Sequence, residues 1–209
     1  MLGLYRTGEV PFRQIYLHGM VRDKHGKKMS KSKGNVIAPS DIQERFGTDA
    51  LRMGLIVNNT PGTDMNLDPD KVNAYKKFAN KIWNITRFTL TACADIDQST
   101  DVQYSQRDRE ILDSLHQTVD DITAKMETSR YDLASEVVYH YVWHELADKV
   151  LEESKEVLNG DDALAKRARQ AVLAECLTTS LKMLHPFMPF VTETVWQHLP
   201  KELRDAEYL

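Results

Sequence analysis

The sequence KKMSKSKGN, from Lys27 to Asn35, has neither the period of a helix nor that of a strand. Like charges so close together, between the glycines at 26 and 34, predict a solvent-exposed loop. Ammonium groups, serine hydroxyls and free backbone N–H groups all donate hydrogen bonds, so such a loop suits a phosphate-bearing polyanion that binds, reacts and leaves. Charge alone leaves two alternatives open, a solvated charged loop and a basic targeting segment. Five lysines lie within ten positions here: Lys24, Lys27, Lys28, Lys31 and Lys33.

The residues on either side of this lysine loop predict a small α/β segment. Upstream, QIYLHGMVRD (Gln14 to Asp23) alternates and carries several apolar residues, which predicts a strand of the buried, parallel kind. Downstream, a short helix is expected over Asp41 to Phe46, ended by Gly47, and a second helix is expected to begin near Thr48. NNTPGTDMN (Asn58 to Asn66) is typical of a loop because it is rich in turn-forming residues.

The remainder of the chain predicts amphipathic helices with short connections, which is the pattern of an antiparallel bundle. A polar connector is expected over residues 94–105. The predicted fold is mostly α, with the small α/β segment in residues 1–66 and the antiparallel helical bundle in residues 67–209. The expected helices run over Pro69 to Thr91, from Ser105 with Asp108, over Tyr131 to Leu158, from Asp161 or Asp162, and over Phe190 to Leu199.

Composition and charge narrow the possible functions. The chain has 209 residues, of which 42% are hydrophobic, and no apolar run approaches the ~20 residues needed to span a bilayer. The N-terminus lacks a signal-peptide pattern, so no membrane association is expected. Cys93 and Cys176 lie far apart, which predicts free thiols in a reducing, cytoplasmic compartment.

The charge of the chain is uneven. Lys and Arg outnumber Asp and Glu by ten to six through Asn66, but they are outnumbered by seventeen to twenty-five from Leu67 onward. This difference suggests two parts with different partners, of which the basic front is suited to phosphate. If the acidic part binds nucleic acid, it must use a local basic patch, because its overall field is repulsive.

KMSKS, from Lys28 to Ser32, gives the lysine loop a family resemblance. This pentapeptide, between a predicted strand and GNVI, and followed by FGTDALR, resembles the valine, isoleucine and leucine group of class I aminoacyl-tRNA synthetases. Within the group the chain is similar to the valyl-tRNA synthetases. Three stretches carry this similarity: GEVPFRQIYLHGMVRDKHGKKMSKSKGNVIAP, NNTPGTDMN and FANKIWNITRF. An isoleucyl- or leucyl-tRNA synthetase is the alternative. The resemblance runs from Gly8 to Phe88, thins between Asp95 and Gly160, and returns between Leu184 and Gln197.

The resemblance implies an ATP-dependent ligase that activates valine and attaches it to tRNA(Val), with Mg²⁺ accompanying ATP. By resemblance Lys31 contacts ATP, Lys28 assists at the phosphates, and Ser30 and Ser32 shape the loop or add hydroxyl contacts. The family's HIGH-like tetrapeptide is absent, as are most of the nucleotide-binding domain, the editing domain and the C-terminal coiled coil. The expectation is therefore a monomeric C-terminal fragment. It combines the end of the catalytic domain, a connecting fold and an anticodon-binding bundle, and it is inactive without the part that binds ATP and valine.

A basic stripe on the helix from Pro69 to Thr91 is the candidate surface for tRNA phosphates, with a solvated helix face as the alternative. Unstacked anticodon bases favour aromatic or Arg planes, for which Tyr139, Trp143 and Trp196 are available, although core positions suit all three. The members of the stripe are Lys71, Lys76, Lys77, Lys81 and Arg87.

A pair of histidines is considered as a metal site, and two other classes of function are considered for the chain. His140 and His144 have the i,i+4 spacing of a metal pair but no third ligand, so a surface or packed pair is expected and no metal site is predicted. A non-catalytic RNA-binding module derived from a synthetase would not need an intact lysine loop. A helical scaffold for other proteins would have no affinity for nucleic acid.

Overall fold

The computed structural model describes residues 2–94 and 102–209, and within them the chain is mainly helical. The predicted connector at 94–105 lies largely outside these residues. A π-helical segment spans Tyr141–Val150, and 3-10 turns occupy Lys31–Lys33 and Lys201–Leu203. The elements are α1 (Leu2–Thr7), β1 (Val21–Arg22), α2 (Pro39–Phe46), α3 (Thr48–Ile56), β2 (Met65–Asn66), α4 (Pro69–Ala92), α5 (Gln106–Glu127), α6 (Tyr131–His140), α7 (Leu151–Leu158), α8 (Ala163–Leu184) and α9 (Pro189–His198).

The predicted fold class is confirmed: a small segment with a two-stranded parallel sheet precedes a bundle of long helices. Three of the bundle helices, α4, α5 and α8, begin at a residue whose side chain caps the helix. Asp68 accepts a hydrogen bond from the N–H of Asp70 at the start of α4, and Asp162 caps α8. Ser105 and Asp108 form a reciprocal capping box at the start of α5, which satisfies N–H groups that a helix leaves unpaired. The division at residue 66 stays a prediction.

The strand predicted over Gln14 to Asp23 is wrong in its extent and in its burial. Only Val21 and Arg22 form a ladder, parallel to Met65 and Asn66. Ile15 is 79% exposed, because no neighbouring strand among the described residues covers this stretch. Alternation along a sequence predicts a strand only when a partner is there to complete the sheet. The loop prediction over 58–66 likewise missed β2.

One helix over Tyr131 to Leu158 was predicted, and a single helical rod with those bounds is present. Its middle third, Tyr141–Val150, is π-helical, so each turn there is wider than in an α-helix. Nothing in the side-chain pattern indicated this widening. The rod buries Val138, Val142 and Leu146.

One hydrophobic core runs from α2 to α9 and joins the small segment to the bundle. Trp196 is fully buried in it, so this tryptophan is a core residue. Gly54 lets α3 approach α4 closely, since a Cβ there would lie 2.9 Å from Val72 Cγ2. The largest fully buried side chains come from six α-helices, the π-helical segment and the turn after α8: Ile42, Met53, Phe78, Ile82, Leu115, Leu146, Leu173, Leu177, Leu181, Leu184, Phe187 and Trp196.

A buried ion pair ties α5 to α8. Arg169 Nε donates to Asp108 Oδ1 at 2.8 Å, and Arg169 Nη1 donates to Ser154 Oγ at 3.2 Å. Both Arg169 and Asp108 are 3% exposed. Burial raises the pKa of Asp108, but the hydrogen bonds from Ser105 and Arg169 together outweigh it and hold that pKa below its usual value. The carboxylate is therefore ionised and serves as both helix cap and counter-ion.

Replacing Asp108 by Ala should remove this pair and leave a buried guanidinium without its main partner. We expect the free energy of unfolding to fall by about 3–5 kcal/mol in urea denaturation at neutral pH. Asp162→Ala, which removes an exposed N-cap, should cost about 1 kcal/mol. Since the pKa of Asp108 is lowered by folding, its contribution is lost as pH falls through the folded pKa, so the variant and the parent should converge in acid. Equal losses in the two variants at neutral pH would contradict this account.

Candidate phosphate and nucleic-acid interface

The lysine loop connects β1 to α2 through a tight turn followed by a 3-10 turn. The N–H of Asp23 donates to the carbonyl of Lys27 at 3.0 Å, and Arg22 forms an antiparallel bridge with Lys28. Gly26 has φ of 76° and Gly34 has φ of 65°, both in the left-handed region that favours glycine. The loop is therefore built of defined turns, although its sequence has no period.

Two side chains, Asp23 and Asn35, organise the backbone of the loop. Asn35 Nδ2 donates to Asp23 Oδ2 at 2.8 Å, and Asn35 Oδ1 accepts the N–H of Ser30 at 2.9 Å. Asp23 Oδ1 accepts the N–H groups of His25 at 3.0 Å and Lys27 at 2.9 Å. These hydrogen bonds, with that from Asn35 as the largest, lower the pKa of Asp23. Sequence reasoning missed the role of both residues, although Asp23 directly precedes Lys24 and Asn35 ends the KKMSKSKGN stretch.

The lysine side chains take no part in this organisation. Lys28, Lys31 and Ser32 are exposed, and Ser30 is half-buried with its Oγ 3.2 Å from Ser32 Oγ. Within residues 2–94 and 102–209, no carboxylate forms an ion pair with the ammonium group of Lys28 or Lys31. The structure thus brings Lys28, Ser30, Lys31 and Ser32 onto one short turn, where positive charge faces solvent.

A second loop supports the base of the lysine loop. Asp64 Oδ1 accepts the N–H of Met20 at 2.8 Å, and Asp64 Oδ2 accepts from Arg22 Nε at 2.6 Å. Arg22 Nη1 in turn donates to the carbonyl of Gly26 at 3.3 Å. The bond from the Met20 N–H, followed by that from Arg22, lowers the pKa of Asp64. The NNTPGTDMN motif is therefore connected to the lysine loop through one carboxylate and one guanidinium.

Helix α3 joins this loop-bearing segment to the end of the bundle. Asp49 Oδ1 and Oδ2 accept the N–H groups of Phe190 at 3.2 Å and Val191 at 2.7 Å in the first turn of α9. Arg52 donates to the carbonyls of Phe187 at 3.0 Å and Pro186 at 2.8 Å. Burial raises the pKa of Asp49, while the two N–H bonds oppose that rise. The DALR motif, residues 49–52, therefore has a structural use here: it satisfies both sides of the α8–α9 turn.

The five basic residues predicted on α4 separate into two groups. Lys71 is half-buried and donates to the carbonyl of Val57 at 2.9 Å, and desolvation lowers its pKa. Lys76 donates to the carbonyl of Arg45 at 2.9 Å. Lys81 donates to Asp148 at 2.6 Å and lies 4.6 Å from the centre of the Trp143 ring.

The second group consists of Lys77 and Arg87, which are exposed. Ion pairs to either side chain are lacking among the residues that the structure describes. They lie on the solvent face of α4, whereas Lys81 is half-buried against the ring of Trp143. These two side chains are the members of the stripe whose charge is available to a ligand.

The apolar period of α4 predicts a buried stripe that includes Trp83, and this prediction is wrong. Trp83 is 43% exposed, and its ring meets that of His198 edge-on at 5.6 Å. Its neighbour Ile82 is buried, so Trp83 lies just outside the buried face of α4. Trp83, Arg87 and His198 line an open cavity of about 360 Å³.

Tyr139 and Trp143, in contrast, pack against Phe78. Their ring centres lie 4.7 Å and 5.9 Å from that of Phe78. His140 and His144 lie on the outer face of the same rod, where His140 Nε2 is 3.9 Å from Glu136 and His144 Nδ1 is 3.4 Å from Asp148. Groups of three potential metal ligands are lacking in the described parts of the chain. Every helix in those parts is either too short or too polar to span a bilayer.

Two parts of the chain match the models of known protein families. Residues 1–68 match the model of class I tRNA synthetases (I, L, M and V), and residues 108–209 match that of the anticodon-binding domain of tRNA ligases. The valine--tRNA ligase of Clostridium acetobutylicum is 43% identical over 205 residues, which are 97% of this chain and 23% of that protein. The valine--tRNA ligase of Petrotoga mobilis is 42% identical over 213 residues, covering 100% of this chain and 24% of its own length. The chain thus spans about a quarter of the length of these curated relatives.

Solved structures share the fold at lower identity. The LeuRS-tRNA-LeuAMS ternary complex of Agrobacterium radiobacter K84 matches with a TM-score of 0.74 and 24% identity, over 99% of this chain and 25% of that one. Methionyl-tRNA synthetase of Mycobacterium tuberculosis, in complex with methionyl-adenylate, matches with a TM-score of 0.76 and 20% identity, over 92% and 39% of the two chains. At these identities the likeness concerns the fold alone.

The close approach of Gly19 to the second loop gives a test of how the lysine loop is supported. A Cβ at Gly19 would lie 1.7 Å from the carbonyl oxygen of Thr63, so Gly19→Ala must push the two backbones apart. We expect a loss of about 1–3 kcal/mol in unfolding free energy and faster hydrogen exchange in residues 20–35, because the contacts of Asp64 lengthen. Gly160→Ala is the matched control, since its Cβ meets nothing closer than 3.4 Å. Unchanged exchange in residues 20–35 of Gly19→Ala would contradict the predicted support.

Proposed function

We propose that this chain, which belongs to the class I tRNA synthetases of the isoleucine, leucine, methionine and valine group, is the part of a valine--tRNA ligase that carries the phosphate-binding lysine loop and the tRNA-binding helices. The observation that carries the proposal is the KMSKS turn, residues 28–32, whose backbone is held in place while its ammonium groups face solvent. Relatives with similar sequences support valine as the amino acid, in preference to isoleucine or leucine.

The proposed reaction has two steps. A carboxylate oxygen of valine attacks the α-phosphorus of ATP, the bond from that phosphorus to the bridging oxygen breaks, and valyl-adenylate and pyrophosphate form. A terminal ribose hydroxyl of the tRNA then attacks the carbonyl carbon of the adenylate and displaces AMP. Negative charge grows on the departing pyrophosphate in the first step, so cations placed there stabilise the transition state more than the ground state.

Within this chain, Lys31 and Lys28 would supply those cations. An ammonium group is a compact charge on a flexible stem, which lets it follow phosphate oxygens as charge moves from the α-phosphorus to pyrophosphate. Ser30 and Ser32 would shape the turn or add hydroxyl donors. ATP and valine would bind mainly to the rest of the ligase, and we propose no Mg²⁺ ligand among the described residues. The isolated chain should therefore have no activity of its own.

The helical part is proposed to bind the tRNA. Lys77 and Arg87 on the solvent face of α4 support phosphate contacts, because their charges are exposed in an otherwise acidic part of the chain. Lys71, Lys76 and Lys81 are proposed to help more weakly, since each already donates to an acceptor within the protein. Trp83, exposed beside Arg87, adds a plane on which an unstacked base can lie.

Replacing Lys28 and Lys31 together by Ala in a ligase that contains this segment tests the first step. We expect valine-dependent ATP–pyrophosphate exchange to fall by at least ~10²–10³ in kcat, because two donors to the transition state are lost. Lys24→Ala is the matched control, since it removes a nearby exposed charge outside KMSKS and should change exchange less than about threefold. Exchange at the parental rate in the double variant would refute the assignment of the loop. Exchange by the isolated 209-residue chain would refute its expected inactivity.

Reversing charge at Lys77 and Arg87 tests the tRNA surface. Lys77→Glu combined with Arg87→Glu should weaken binding of tRNA(Val) and lower the slope of log affinity against log salt by ~1–2, about one for each phosphate contact. Fluorescence anisotropy between about 50 and 200 mM KCl measures both quantities. Lys149→Glu combined with Lys155→Glu makes the same change in net charge at two lysines that pair with glutamates and do not belong to α4. Equal effects of the two double variants would show that only net charge matters.

A further inference from the structure

We infer that Asp23 and Asn35 form a latch that positions the lysine loop for the adenylation step, an inference that rests on the function proposed above. The two side chains, from the start and the end of the loop, meet through Asn35 Nδ2 and Asp23 Oδ2 at 2.8 Å. In this role they are positioning residues, since they act on phosphate only through the backbone that carries Lys28 and Lys31.

The hydrogen bonds fix which way each group of the latch points. Asn35 Oδ1 accepts the N–H of Ser30 at 2.9 Å, so the amide oxygen must face the loop. Asn35 Nδ2 then donates to Asp23 and, at 3.3 Å, to the carbonyl of Lys28. Asp23 uses its other oxygen for the N–H groups of His25 and Lys27. The latch therefore holds the backbone on both sides of Met29, which lies in the middle of the KMS sequence.

The location of the latch explains why it would affect catalysis more than folding. Asp23 is 8% exposed and Asn35 is half-buried, and all the hydrogen bonds described for them are with each other or with residues 25–30. The core of α2 to α9 does not include either residue. Loss of the latch should release the loop and leave the bundle intact. Misplacing a charge by about 1 Å can cost roughly 10²-fold in rate, so a released loop should act mainly on kcat.

Asn35 donates and Asp23 accepts in the hydrogen bond between them, so exchanging the two residue types offers a test. Asn35→Ala removes the bonds to Ser30 and Asp23. Asn35→Asp places a carboxylate against that of Asp23, which is repulsive. The double variant Asp23→Asn with Asn35→Asp keeps the strong bonds and reverses the direction of the one between positions 23 and 35. The new amide at position 23 would donate its N–H to the carboxylate at position 35, while its oxygen would still accept from His25 and Lys27. The new carboxylate would still accept the N–H of Ser30, but it would place an oxygen against the carbonyl of Lys28, a weaker repulsion that Asn35→Asp shares.

The test is ATP–pyrophosphate exchange by a ligase that contains this segment, with kcat and the KM for ATP measured separately. We expect Asn35→Ala to lower kcat by about 10- to 100-fold with KM changed less than about threefold, and Asn35→Asp to be worse. The reciprocal double variant should recover kcat to within about fivefold of the parent. Asp162→Ala, a cap far from the loop, controls for general destabilisation and should leave both constants unchanged.

Any one of three results would overturn the latch. One is Asn35→Ala with kcat within about twofold of the parent, and another is a reciprocal variant no better than the worse single variant. A loss of kcat that simply follows melting temperature across the set, with Asp162→Ala affected alike, would also count against it. Lys28→Ala combined with Lys31→Ala, assayed alongside, separates the two proposals. If that variant loses exchange while Asn35→Ala retains it, the proposed function stands and the latch falls.

Discussion

The structure depends on one helix, α3, whose two charged side chains hold the turn between α8 and α9. Asp49 accepts two N–H groups at the start of α9, and Arg52 donates to two carbonyls just after α8. A carboxylate at a helix N-terminus and a cation at carbonyls after a helix each meet the sign of the helix dipole. These bonds join residues 134 to 142 positions apart, so they tie the segment that carries the lysine loop to the end of the chain. The hydrophobic core shared by α2 to α9 then fixes the orientation of the loop-bearing segment relative to the helical bundle.

In the lysine loop, the residues that order the backbone differ from the residues that carry the exposed charge. Asp23, Asn35 and Asp64 satisfy the N–H groups of the lysine loop and its base, whereas the lysines themselves extend into solvent. If lysines also held the loop together, their charges would be partly neutralised before a phosphate arrived. α4 makes the same division: Lys71, Lys76 and Lys81 bind acceptors of the protein, and Lys77 and Arg87 remain exposed.

The sequence was enough to predict the elements whose causes are local. The helix starts at Pro69, at Ser105 with Asp108, and after Asp162 follow from capping chemistry that one turn of chain contains. The lysine loop itself was found from its charge and order. The features that the sequence did not predict depend on residues far away in the chain. They are the short extent of β1, the exposure of Trp83, and the structural use of Asp49 and Arg52. Each of them requires knowing which element lies opposite. The latch between Asp23 and Asn35 escaped for the same reason, although only twelve positions separate its members.

The most direct test of this account is hydrogen exchange followed peptide by peptide in rising denaturant. If α3 binds the lysine-loop segment to the bundle as one cooperative unit, amides in residues 39–57 and in α8 and α9 should lose protection at the same denaturant concentration. Loss of protection in residues 39–57 at clearly lower denaturant, while α8 and α9 stay protected, would contradict the claim that the loop and the bundle form a single body.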